Sequence, residues 1–191
     1  MPHLGIDAIV AAADIVMDLQ TIVSREIDPL EPVVISLGKI NGGVSYNVIC
    51  DKVVIEGTTR SFNVDIQKSL PLAIKRIIDR AASSFNAEAE LTYTAGALPC
   101  INDPILSEIA KKSISKLYGN EVIGNLKKTM GTEDFAYFAQ KVPGVIAFLG
   151  GGNKSKNSNY PHHHEKFDID VDAWPIGVSL YVQFALDYLE K

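Results

Sequence analysis

Between residues 7 and 25, apolar side chains recur as Ile9, Val10, Ala13, Val16, Met17, Leu19 and Val23. This three-and-four spacing, begun by Ile6, predicts an amphipathic helix. Asp7 stands where an N-cap belongs, and Asp28-Pro29 ends the segment. Residues 33–40 are rich in β-branched side chains and close on Asn41-Gly42-Gly43, a strand followed by a turn. Residues 46–50 and 53–62 predict two further strands around Asp51-Lys52. In the second, Val53, Ile55, Gly57 and Thr59 alternate with Val54, Glu56, Thr58 and Arg60, the period of a half-buried strand.

Asn63 or Asp65 is placed to cap a second helix reaching about residue 85, with Leu70, Ile74, Ile77, Ile78 and Ala81 on its apolar face. Pro71 is expected to bend or restart it. Ala89, Leu91 and Tyr93 alternate with polar neighbours and predict another strand. The order α-β-β-α-β matches a ferredoxin-like split βαβ unit without its opening strand. Residues 97–104, with two prolines, read as a domain junction. Pro104 suits the first position of a helix that Gly119 closes. A short strand around Val122, a short helix up to Gln140, a fully buried strand at 145–149 and a mobile loop at 150–161 follow. A last helix, with Pro175 in its first turn, runs from near Asp172 to the C-terminus. The second half thus reads α-β-α-β-α, the end of a larger α/β layer, because two strands make a poor sheet alone.

Composition narrows the function classes. The 191 residues carry 18 Lys+Arg against 23 Asp+Glu, a net charge of −5, with the basic residues scattered. That argues against nucleic acid as a partner, which needs a basic stripe. No apolar run approaches the ~20 residues of a membrane span, and no signal-peptide pattern opens the chain. Cys50 and Cys100 make no disulfide framework. A cytoplasmic protein without membrane partners is the expectation.

The one dense donor cluster is His162-His163-His164-Glu165. On an extended segment His162 and His164 share a face and form a pair; alternatively His163 is a single ligand and its neighbours the rim. A polar surface loop is the plain alternative, since a zinc site needs at least three protein ligands. Thr132, Glu133 and Asp134 sit where a helix begins, so capping accounts for them, and a substrate-facing loop is the functional alternative. Asn47 and Arg60 are single polar residues near strand ends. No Gly-x-Ser-x-Gly elbow is present.

Four stretches carry a resemblance: MPHLGIDAIVAAADIV (1–16), INGGVSYNVICDKVVIEGTTRSF (40–62), MGTEDFAYF (130–138) and HHEKFDIDVDAWPIGV (163–178). The chain resembles the C-terminal half of the hippurate hydrolases and N-acyl-amino-acid amidohydrolases. These are co-catalytic metallopeptidases related to carboxypeptidase G and succinyl-diaminopimelate desuccinylase. The resemblance implies an α/β (α+β) fold. Residues 1–97 would be a ferredoxin-like lid, or dimerisation, domain lacking its first strand, and residues 98–191 the C-terminal part of the zinc-peptidase catalytic domain. It implies hydrolysis of N-acyl amino acids or small peptides by two Zn or Mn ions, with the general base and most ligands upstream of Met1. His163 matches the family's C-terminal metal ligand, so this chain supplies one ligand at most. Asn47 matches a substrate-contacting Asn, Arg60 a lid Arg that holds the substrate carboxylate, and Gly131, Thr132 and Glu133 a pocket wall. Glu165 and Cys50 replace prolines of the family pattern. A homodimer through residues 1–97 is implied, and a non-catalytic dimerisation or binding module is the alternative.

Overall fold

The Asp7 carboxylate accepts the Ile9 amide N–H at 3.0 Å and so opens α1, Ala8–Thr21, in this computed structural model, which describes residues 1–96 and 98–190. α1 passes into one wider helical turn, Ile22–Glu26, whose first side chain is 1% exposed. β1, Val33–Gly42, and β2, Val53–Ser61, pair antiparallel, from Val33 opposite Ser61 to Gly42 opposite Val53. The ladder shifts between Leu37 and Lys39, and a Cβ at Gly57 would lie 2.6 Å from the Ser36 carbonyl oxygen, so glycine lets the strands close there. Gly43, at φ +79°, turns the chain out of β1 through a region that most side chains avoid.

The expected strand at 46–50 is instead a turn: the Val48 amide donates to the Ser45 carbonyl oxygen at 3.3 Å, and Tyr46 is fully exposed. α2, Val64–Ser84, starts at Asn63, whose Oδ1 accepts the amides of Asp65 and Ile66. Pro71 lies inside α2, which does not restart there.

The chain forms two compact units, Met1–Pro99 with Met130–Glu133, and Cys100–Thr129 with Asp134–Lys191. Ala97, where the sequence boundary was expected, lies outside the described residues. Unit 1 is built on Leu19, Ile22, Ile35, Leu70, Ile74 and Ile78, which bury one face of both helices against the inner face of the sheet. Burial of each such side chain contributes about 1.5–3 kcal/mol. Ala89, Leu91 and Tyr93 pack on this cluster with the alternation the sequence predicts. No strand forms there, because no described residue pairs with the segment's backbone.

In unit 2, α3 spans Pro104–Tyr118, with the Asp103 carboxylate accepting the Leu106 amide at 2.9 Å and Gly119 at φ +85° closing it. The expected strand near Val122 is a tight turn, Asn120–Val122. α4 is the short Phe135–Ala139. The expected buried strand at 145–149 does not form either: Phe148 is 65% exposed, and both main-chain groups of Ile146 are held by the Asn102 side-chain amide at 2.9 Å. Its neighbours in a sheet would have to come from elsewhere. Within the loop at 150–161 a paired turn joins Asn153 and Ser158. α5, Trp174–Leu189, closes the unit after a tight turn at Val171–Ala173; Lys191, the expected end of that helix, lies outside the described residues. Among the described residues no helix is long and apolar enough to cross a membrane.

Candidate functional site

Strand alternation puts Arg60 on the outer face of β2, away from the apolar cluster, opposite Val34 of β1. Its Nη1 donates to the Met130 carbonyl oxygen at 2.8 Å and to the Thr132 hydroxyl at 2.9 Å. Two candidates far apart in sequence, Arg60 and Thr132, are therefore in direct contact within unit 1. Among the described residues the remaining guanidinium nitrogens make no hydrogen bond, so a planar two-pronged donor stays available for a carboxylate. Capping does not account for Thr132: Asp134 holds the N-cap position of α4 and makes no side-chain cap, and the threonine hydroxyl accepts from Arg60. Gly131 is exposed and Glu133 half-buried in the same strap. Asn47 lies in the exposed turn after β1, where its Oδ1 accepts the Ser45 hydroxyl at 2.9 Å; no bond joins it to Arg60.

In unit 2 the three histidines are distinguished by their backbone and ring partners. His162 meets Phe167 edge-on, with ring centres 4.9 Å apart. His164 stacks on Tyr160 at 4.6 Å, and its Nδ1 accepts the Lys166 amide at 3.0 Å. His163 has φ +66°, a left-handed conformation uncommon for a residue with a Cβ. Among the described residues its imidazole has no ring partner and no hydrogen bond, so both nitrogens remain free to bind.

Segments before and after the histidines are fastened to each other by Asp170, which sequence reasoning passed over. Its carboxylate accepts the Asn153 amide at 2.6 Å and the Lys156 ammonium at 2.7 Å, while its own amide donates to the Gly151 carbonyl oxygen at 2.7 Å. The Lys156 ammonium, then the Asn153 amide, lower the Asp170 pKa from 3.8 to about 2, and the pairing raises that of Lys156. The sequence signal was the Asx-turn pattern Asn153-Lys154-Ser155, in which Asn153 Oδ1 accepts the Ser155 amide.

The donor chemistry present does not by itself fit a two-ion centre. Among the described residues no three His, Cys, Asp or Glu side chains come together as a metal site. His163 offers one imidazole, and these residues alone complete no metal centre.

The description "Peptidase family M20/M25/M40" matches residues 4–187. The chain is 34% identical to IAA-amino acid hydrolase ILR1-like 2 of Arabidopsis thaliana, covering 100% of this chain and 44% of that protein. It is 35% identical to the N-acetyl-L-cysteine deacetylase of Bacillus subtilis, over 91% of this chain and 40% of that one. Among solved structures, an aminohydrolase from methicillin-resistant Staphylococcus aureus superposes with a TM-score of 0.85 at 32% identity, covering 98% of this chain and 48% of that one. The YXEP protein of Bacillus subtilis, a dinuclear metal-binding peptidase, gives 0.78 at 27%, covering 97% and 47%. The chain spans less than half the length of each of these relatives. With the match running through both units, the chain belongs to peptidase family M20/M25/M40, whose relatives named here are hydrolases.

Proposed function

We propose that this chain is one portion of a metal-dependent amidohydrolase that cleaves the amide bond of N-acyl amino acids. Residues 1–97 act as the lid and dimerisation domain and residues 98–191 as the C-terminal part of the catalytic domain, in a cytoplasmic homodimer. The observation that carries the reading is the Arg60 guanidinium, aimed by Met130 and Thr132 and keeping its other donors for a carboxylate. The names of the relatives, an amino-acid conjugate hydrolase and an N-acetyl-amino-acid deacetylase, agree with a substrate bearing that group.

Arg60 clamps the carboxylate, Asn47 contacts the substrate, and Gly131, Thr132 and Glu133 wall the pocket. His163 contributes one imidazole to a pair of zinc or manganese ions. When bound, such ions polarise the carbonyl and lower the pKa of a water. The other ligands and the general base come from the part of the enzyme that this chain does not match.

The test joins this chain to the portion of a family member that it does not cover. The chimera should hydrolyse an N-acyl amino acid only with zinc or manganese present. Arg60→Ala should raise KM about tenfold or more for that substrate, the scale of a charge-assisted hydrogen bond, and change little for the matching carboxamide. Hydrolysis indifferent to chelation, or equal losses on both substrates, would sink the proposal.

A further inference from the structure

Residues 159–169 contain no helix or strand, yet the chain before them is joined to the chain after them. The bond from Asn153 Nδ2 to Asp170 Oδ2, at 2.6 Å, spans 17 positions of sequence. Beside it the Asp170 amide donates to the Gly151 carbonyl oxygen, and the Lys156 ammonium reaches the other carboxylate oxygen at 2.7 Å. The Asp170 side chain is 13% exposed, whereas that of Asp172, the second partner of Lys156, is 79% exposed. An ion pair so open to water adds little, so the closure depends on Asp170. Within the loop, Tyr160 stacks on His164 and His162 meets Phe167. His163 is the residue these contacts leave over, exposed and at φ +66°. A residue with a Cβ keeps a left-handed conformation only where the surrounding chain enforces it.

We infer that Asp170 is a positioning residue for His163: by closing the loop at its base it enforces the left-handed turn at its tip and so fixes where that imidazole points. No hydrogen bond among the described residues joins Asp170 to His163, so the effect is carried by the chain between them. An imidazole held in advance loses little ordering entropy when it binds an ion. The inference rests on the reading of His163 as a metal ligand; the closure of the loop is measurable apart from it.

The experiment has two readouts. In the chain alone, Asp170→Ala should quicken amide exchange about tenfold at His164 and Phe167, whose amides close the turns over and after His163, with α3 and α5 unchanged. In the chimera described above, zinc affinity read by competition with a chromophoric chelator should fall about tenfold or more. Lys156→Met, which keeps the Asn153 bond, should fall between Asp170→Ala and the unaltered protein in both readouts. Asp187→Asn, which weakens the tie between α3 and α5, should leave zinc affinity unchanged. The inference is overturned if exchange at those two amides stays the same, if α3 and α5 lose protection equally, or if Asp187→Asn loosens zinc as much as Asp170→Ala. Quickened exchange with unchanged zinc affinity in Asp170→Ala would overturn the positioning role alone. Zinc held as tightly by His163→Ala as by the unaltered chimera would overturn the ligand reading beneath it.

Discussion

The two units meet the same physical demand with opposite success. In unit 1, two helices lay Leu19, Ile22, Leu70, Ile74 and Ile78 over one face of a hairpin, and all of these are at most 7% exposed. In unit 2, the buried apolar side chains among the described residues are Ile109 and Ala136. Its most apolar helix, α5, buries none of its residues: Val178 is 63% exposed, Tyr181 83% and Leu189 77%. Polar ties add to this sparse apolar packing. Asp187 of α5 accepts the Ser113 hydroxyl at 2.7 Å and is paired with Lys116 of α3, and the Asp170 clip ties the histidine loop. An apolar helix therefore does not bring its own core; the opposing layer supplies it.

The largest effect that would test this contrast is a pair of truncations. Leu70→Ala, at a site 1% exposed, should cost about 2–5 kcal/mol of unit 1 stability in denaturant melts. Leu186→Ala in α5, at a site 51% exposed, should stay within about 0.5 kcal/mol. Comparable losses at both sites would show that α5 is packed in solution and would end the contrast.

Acid offers a second, smaller test. Asp170 titrates near 2 when folded, against 3.8 ordinarily. Its stabilisation is complete above about 4 and is lost as pH falls toward 2. The Lys156 partner, raised above 10.5, sets the alkaline limit, with its share lost as pH climbs through that raised value. Asp187 is lowered too, by Lys116 first and then Ser113, so acid weakens the α3–α5 contact in the same direction. Trp174, the one tryptophan, lies in α5 and reports on unit 2. Its fluorescence should change between pH 4 and 2 before the apolar core of unit 1 opens, and a single transition of both units would contradict this.

Legibility in the sequence followed the same division. The helices were readable from their apolar period, and Asp7, Asn63, Pro104 and Gly119 marked their ends because capping is local chemistry. β1 and β2 were readable because their partners are sequence neighbours. The segments at 89–93 and 145–149 carry strand composition, yet a strand is defined by a neighbour's backbone, and among the described residues none is offered. Residues 46–50 failed for another reason, since the Ser45–Asn47 side-chain bond favours a turn over β-branched preference. At the site, the family resemblance, rather than residue type or spacing, pointed to Arg60, Thr132 and His163. Spacing gave no hint that Arg60 reaches Thr132, or that His163 alone of its cluster turns into the left-handed region. Those facts depend on chain reversal between distant segments and on ring stacking by Tyr160 and Phe167.

The smallest effect bears on what keeps residues 89–93 in place. Tyr93→Phe removes the hydroxyl bonded to Thr59 and leaves the ring on the apolar cluster. A neutral hydrogen bond of this kind contributes about 1 kcal/mol, so global stability should fall by no more than that. Locally the outcome is sharper, because no backbone ladder among the described residues holds the segment. Amide exchange at 89–93 should quicken several-fold while α1 and α2 keep their protection. If exchange there is unchanged, Ala89, Leu91 and the ring hold the segment by packing alone, and the phenol is incidental. If the helices loosen as well, the segment is part of unit 1's cooperative core, and the line between residues fixed by a ladder and residues fixed by side chains has to be redrawn inside unit 1 itself.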